Sequence, residues 1–169
     1  MSWKWLGPGL LVLVPTLAFL AAGPAVSQPA GKQTPRTSLK AEAVAETRLL
    51  MEALAHPNFR GLERILRQKP ASTEAWSYAR GQALLIAEAG NLLLLRPPRN
   101  SKAQSLWFTL ATDLRSAGRD LAQNAAQRNF EASRAGFIRL ANVCNRCHQG
   151  FRIPVEIVPF EEPAPKKQK

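Results

Sequence analysis

Two cysteines, two histidines, two methionines and a single tyrosine are all that the 169 residues hold of those types, and 12 acids face 23 bases. Each shortage excludes something. Two cysteines cannot build a framework of several disulfides. None stands near the small residues around position 25, so a lipid anchor has no attachment point there. One tyrosine offers little for base stacking, and the basic residues are scattered along the chain. The net charge of +11 therefore points to acidic partners or surfaces and not to nucleic acid. The longest apolar run, Leu6 to Leu20, is about 15 residues and carries Pro8 and Pro15. That is short of the roughly 20 residues a bilayer span needs, so no stable membrane span is expected. No segment alternates with period two over a useful length, which excludes a sheet, and no internal repeat is visible.

What is present divides the chain into four parts. Lys4, the apolar run and the exit Ala25-Val26-Ser27 read as a secretory signal peptide over residues 1–27, against the alternative of an uncleaved anchor. Residues 28–37, rich in Pro, Gly, Gln and Thr, read as a flexible leader. Residues 38–152 carry helical patterning, enough for one domain with one core. Residues 153–169 read as an extended, proline-broken tail that is polar from Glu161. The expected location is periplasmic.

The sequence predicts four amphipathic helices and hence an all-α four-helix bundle. The first starts near Ser38 and buries Val44, Thr47, Leu50, Met51 and Leu54. Pro57 interrupts it as a kink or a short loop, and it continues through Leu62, Ile65 and Leu66 to Pro70. The second opens at Ser72 or Thr73 and buries Trp76, Ala79, Ala83, Ile86 and Ala87, stopping before Pro97-Pro98. The leucines at 92–95 belong to core or interface, and Arg96 to Arg99 form a turn. The third opens at Asn100 or Ser101 and buries Leu106, Leu110, Leu114, Ala117 and Leu121. The fourth follows Asn129 and buries Phe130, Ser133, Phe137, Leu140, Ala141 and Cys144. Val155, Ile157 and Phe160 have the character to lie against such a bundle.

Both cysteines fall in one five-residue run, Cys144-Asn145-Arg146-Cys147-His148. Positions three apart share a helix face, so both thiols reach the two vinyl groups on one porphyrin edge, and the next residue offers its imidazole to iron. The run is the attachment motif for one covalently bound haem c, held by Cys144 and Cys147 and ligated by His148. A structural disulfide, a redox-active thiol pair and a zinc site are the competing readings. Zinc would need His56 and would ask adjacent Cys147 and His148 to share one ion. A redox-active pair commonly opens a helix, whereas this one ends one.

With Gln149-Gly150-Phe151-Arg152 following the motif, the chain resembles the cytochrome c′ family of class II c-type cytochromes, and its cytochrome c-556 branch. The resemblance covers residues 38–152, with the attachment motif and Phe151-Arg152 its specific parts. It implies covalent haem on the C-terminal helix and a first-helix residue over the far face of the iron. In low-spin members that residue is a Met, and Met51 lies at the matching place. Its alternative is core packing. By the same resemblance Arg48 approaches a haem propionate, with a solvated surface Arg as its alternative, Arg152 makes propionate or backbone contacts, and two bundles pair as a homodimer. His56 is a weaker ligand candidate than Met51. Trp76 and Trp107 read as core.

The function expected is electron transfer by ferrous/ferric cycling to acidic redox partner proteins. The alternative is a five-coordinate protein that binds nitric oxide or carbon monoxide. No enzyme is expected, because no distal acid or base suits a peroxidase.

Overall fold

The computed structural model describes residues 41–160. These lie in the second of two units into which the chain divides, Met1–Ser38 and Leu39–Lys169. The expected signal peptide, the leader, the Ser38 cap and the tail from residue 161 lie outside the described residues.

Five α-helices and one π-helical turn make four rods, and no strand occurs among the described residues. The first rod runs through α1 (Thr47–Leu50), the π-turn (Met51–Ala55) and α2 (His56–Leu66) without a break in helical backbone. The others are α3 (Thr73–Leu93), α4 (Ser101–Ala126) and α5 (Phe130–Gly150). Each rod packs on its sequence neighbours, and α5 packs back on α2, so the four close into a helical bundle.

Short polar side chains open three of the helices as their sequence positions predict. The Ala75 N–H donates to Ser72 Oγ at 3.2 Å, Lys102 N–H to Asn100 Oδ1 at 3.0 Å, and Ala132 N–H to Asn129 Oδ1 at 3.1 Å. Between α4 and α5 one tight turn serves both helices. Arg128 is left-handed (φ 54°), its N–H donates to the Ala125 carbonyl, and the Asn129 N–H donates to Asn124. That is a Schellman closure of α4 whose last residue is also the cap of α5.

The first rod corrects the sequence reading twice. Helix begins at Thr47 after Glu46, and residues 41–46 are not helical. Val44 is accordingly exposed. Pro57 makes no loop, since helical backbone runs through it. In an α-helix it would leave the Ala53 carbonyl without a donor and crowd it. The π-turn widens the coil there, with the His56 N–H reaching back to the Met51 carbonyl. Asn58 Nδ2 donates to the Leu54 carbonyl at 2.6 Å, which satisfies the disturbed stretch. The apolar face then steps Leu50, Leu54, Phe59, Leu62, Leu66, and the step of five marks the inserted residue.

The core is otherwise where periodicity put it. Trp76, Ala79, Ala83, Ile86 and Ala87 are buried, as are Leu110, Leu114, Leu121, Ser133, Phe137, Leu140 and Ala141. Leu106 is the exception, being exposed near the start of α4. Phe137 is fully buried and stacks on Phe59 with ring centroids 4.4 Å apart. Such a pair contributes about 0.5–1.5 kcal/mol beyond its burial. Helices α3 and α4 run antiparallel at close range. A Cβ on Gly90 would lie 2.6 Å from the Arg115 nitrogen, and one on Gly118 would lie 2.8 Å from the Ala87 nitrogen.

Candidate functional site

The motif occupies the last two turns of α5. The helix ends at Gly150 with Phe151 as its cap, and Arg152 takes the left-handed position (φ 55°) that closes it. The Arg152 N–H donates to Gln149, and the Ile153 N–H donates to the His148 carbonyl at 2.8 Å. This is a second Schellman closure, and it fixes the backbone around His148.

Contacts at one end of the bundle show what lies near the motif. Arg96, just past α3, donates from Nε to the Ala45 carbonyl at 2.9 Å, tying that loop to the residues before α1. Trp107 on α4 donates from Nε1 to the Leu93 carbonyl at 2.8 Å and meets Phe151 edge-to-face at 5.2 Å. The start of the first rod, the end of α3, the start of α4 and the end of α5 thus share one end. Met51 and Cys144 are both half-buried there and pack against the same apolar core. Trp76 is buried in that core and Trp107 is half-buried, so both serve packing.

Cys144 and Cys147 are free thiols. Burial, with a smaller part from the neighbouring Cys147, pushes the Cys144 thiol up to about 12, and burial raises Cys147 as well. Both stay protonated at neutral pH. A thiol oxidoreductase needs the opposite, a thiolate favoured by a helix N-terminus, whereas these sit at the negative end of the dipole.

His148 is half-buried, and its Nδ1 lies 2.8 Å from the Val155 carbonyl oxygen. A carbonyl only accepts, so Nδ1–H donates and the lone pair of Nε2 is left free to bind a metal. Two protonated thiols three residues apart, followed by an imidazole with Nε2 free, fit the donor set of a covalently attached haem. Zinc fits less well. Among the described residues no group of three or more His, Cys, Asp or Glu side chains is arranged to hold an ion, and His56 is exposed.

The remaining sequence candidates fall apart from one another. Arg48 is exposed and donates to Glu52 at 3.3 Å, a surface pair on α1 and the π-turn that contributes little. The Arg152 side chain is exposed, and what the structure assigns to that residue is the helix closure. The leucines divide: Leu93 is buried, Leu92 and Leu94 pack against the core, and Leu95 is exposed.

Sequence reasoning missed the partners of Asn145. Its Oδ1 accepts from the Ile157 N–H at 2.8 Å and its Nδ2 donates to the Ile157 carbonyl at 2.9 Å. At Phe160 the backbone N–H donates to Glu63 Oε1 at 2.7 Å, and the ring lies beside Phe137 and under the Arg134 guanidinium. Glu63 is buried and also accepts from Arg60 at 2.7 Å. The segment after Arg152 therefore doubles back along α5. The apolar residues Ile157 and Phe160 hinted at packing, while Val155 is exposed and offers its carbonyl instead. No family model, no curated protein and no solved structure matches the chain.

Proposed function

We propose that this chain is an exported c-type cytochrome that carries one covalently bound haem and transfers single electrons in the periplasm, on the plan of the cytochrome c′ family and its cytochrome c-556 branch. The observation that supports this most strongly is the attachment motif at the end of α5 with His148 Nδ1 engaged and Nε2 free.

The residues divide the work simply. Cys144 and Cys147 would hold the haem through two thioether bonds, each S–H adding across one vinyl group with no atom lost. Both thiols are protonated and unpaired, the state this addition starts from. His148 offers Nε2 to the iron from a helix end whose backbone is closed by two hydrogen bonds. When bound, the haem supplies a one-electron ferric/ferrous couple. Met51, at the same end of the bundle and half-buried, would offer its thioether as a second protein ligand; a soft ligand of this kind raises the potential relative to a second His. The apolar core against which Met51 and Cys144 pack would keep water away from the group, which favours the less charged ferrous state. The excess of basic over acidic residues, which loss of the signal peptide with Lys4 leaves nearly intact, would steer the protein to acidic redox partners.

The test is the optical spectrum of the purified ferric and ferrous protein, with carbon monoxide and nitric oxide then added. A low-spin spectrum with a methionine-to-iron charge-transfer band and little gas binding is expected, and Met51→Ala should abolish it. A high-spin spectrum with rapid gas uptake, unchanged in Met51→Ala, returns Met51 to packing and makes gas binding the function. Protein that carries no covalent haem overturns the whole reading.

A further inference from the structure

We infer that residues 153–160 form a strap that sets the state of the axial histidine, with the Val155 carbonyl holding the Nδ1 proton of His148 and Asn145 acting as the positioning residue that keeps the strap in register. The inference rests on the reading of His148 as an iron ligand.

The strap is held at three places along α5 and α2. Nearest the motif, His148 Nδ1–H donates to the Val155 carbonyl at 2.8 Å. One turn earlier on α5, the Asn145 amide pairs with both backbone groups of Ile157, at 2.8 and 2.9 Å. Farther along, the Phe160 N–H donates to the buried Glu63 carboxylate at 2.7 Å, and the Phe160 ring sits 5.1 Å from Phe137 and 4.1 Å from the Arg134 guanidinium carbon. The Val155 N–H turns back to the Ile153 carbonyl at 2.8 Å, which aims the Val155 carbonyl towards the helix.

These contacts matter because a backbone carbonyl cannot be supplied by a side chain. It reaches His148 only if the strap is in register, and the two-point Asn145–Ile157 pair is two residues from Val155. Asn145 is one of the two residues between the cysteines, so its side chain is free of attachment chemistry. A histidine whose far nitrogen donates to a carbonyl is held in one tautomer and one ring orientation, and is a more basic ligand. A more basic ligand favours ferric over ferrous iron. The strap therefore lowers the potential, against the direction in which Met51 pulls it.

The experiment compares the haem-loaded full chain with Asn145→Ala and with a chain that ends at Arg152. The readouts are the reduction potential and, with Met51→Ala added to open the iron's sixth position, the iron–histidine stretching frequency of the ferrous form. Losing such a hydrogen bond weakens a ligand about tenfold at the low end. If that loss falls on the ferric state, the potential rises by about 59 mV for a one-electron couple. The stretching frequency should fall in both variants. A strap that serves stability alone would lower the melting temperature and leave both readouts at the parent values, which overturns the inference. If the full chain takes up no haem, it is the cytochrome reading that fails. The strap is then judged by the ¹⁵N shifts of His148 in the haem-free full chain. A pattern with Nδ1 protonated that is lost in Asn145→Ala supports it. A mixed pattern in the parent, or the same pattern in both, overturns it.

Discussion

Gly81 and Gly118 are both interior to long helices, and the same change to alanine should act on them with opposite sign. A Cβ added at Gly81 meets nothing within 4 Å. Gly81→Ala therefore gains the full helix-propensity difference of about 0.8–1.0 kcal/mol. At Gly118 the new atom would lie 2.8 Å from the Ala87 nitrogen, 2.9 Å from the Ala83 oxygen and 3.1 Å from the Ala87 Cα. All three are backbone atoms of α3, so no rotamer change relieves them and the two helices must part by about half an ångström. Overpacking of this kind costs about 1–3 kcal/mol, and the rigid backbone contacts place it in the upper half of that range. After the propensity gain of about 1 kcal/mol is subtracted, Gly118→Ala should destabilise by about 1–2 kcal/mol. The two variants then differ by about 2–3 kcal/mol. With m of about 1–3 kcal/mol/M in urea, their midpoints lie on the order of 1 M apart on opposite sides of the parent. The assay is urea unfolding followed by circular dichroism, with m checked for constancy. If Gly118→Ala raises the midpoint as Gly81→Ala does, the close approach of α3 and α4 is wrong.

Four further outcomes can be checked on the same material. In the haem-free chain Cys144 should resist iodoacetamide at pH 8 and react faster as pH climbs towards 12, with the denatured chain reactive near pH 9. Because burial raises the folded thiol above its unfolded value, the folded state keeps its proton longer. Its contribution to stability is intact below about pH 9 and declines between there and about 12, which urea midpoints across that range will register. Asn129→Ala removes the acceptor for the Ala132 N–H and should lower stability by about 1 kcal/mol in thermal or urea unfolding. Arg128→Gly relieves a left-handed non-glycine residue and should raise stability by about 1 kcal/mol, whereas the same change at Arg119, mid-helix and exposed, should lower it by about as much.

The parts of this fold that were legible in the sequence are those governed by local rules. Ser72, Asn100 and Asn129 cap helices because each has a short acceptor that reaches back to a first-turn amide. The stripe of Trp76, Ala79, Ala83, Ile86 and Ala87 follows from helical period alone. Within the site, the spacing of Cys144, Cys147 and His148 foretold only that the three lie together near the end of one helix. What was not legible depends on groups far apart in the chain. Gly90 and Gly118 read only as weak helix formers until the opposite helix is in place. Leu106 keeps the period yet is exposed, because periodicity does not say where the neighbouring rods end. The π-turn showed itself as a proline inside an apolar pattern, but the pattern did not reveal that one residue would be inserted and no loop made. The strap left the faintest trace, since residues 153–160 have no period and their docking rests on Asn145 and Glu63 meeting backbone groups.

The turn shared by α4 and α5 has a consequence for the way the bundle opens. The N–H groups of Gln127, Arg128 and Asn129 all donate to carbonyls of α4, while the Asn129 side chain and carbonyl accept the first donors of α5. Neither helix can fray at this end without releasing the other. In hydrogen exchange the junction should therefore show protection like that of a helix interior, and the amides of both helices on either side of Asn129 should exchange as a single cooperative unit.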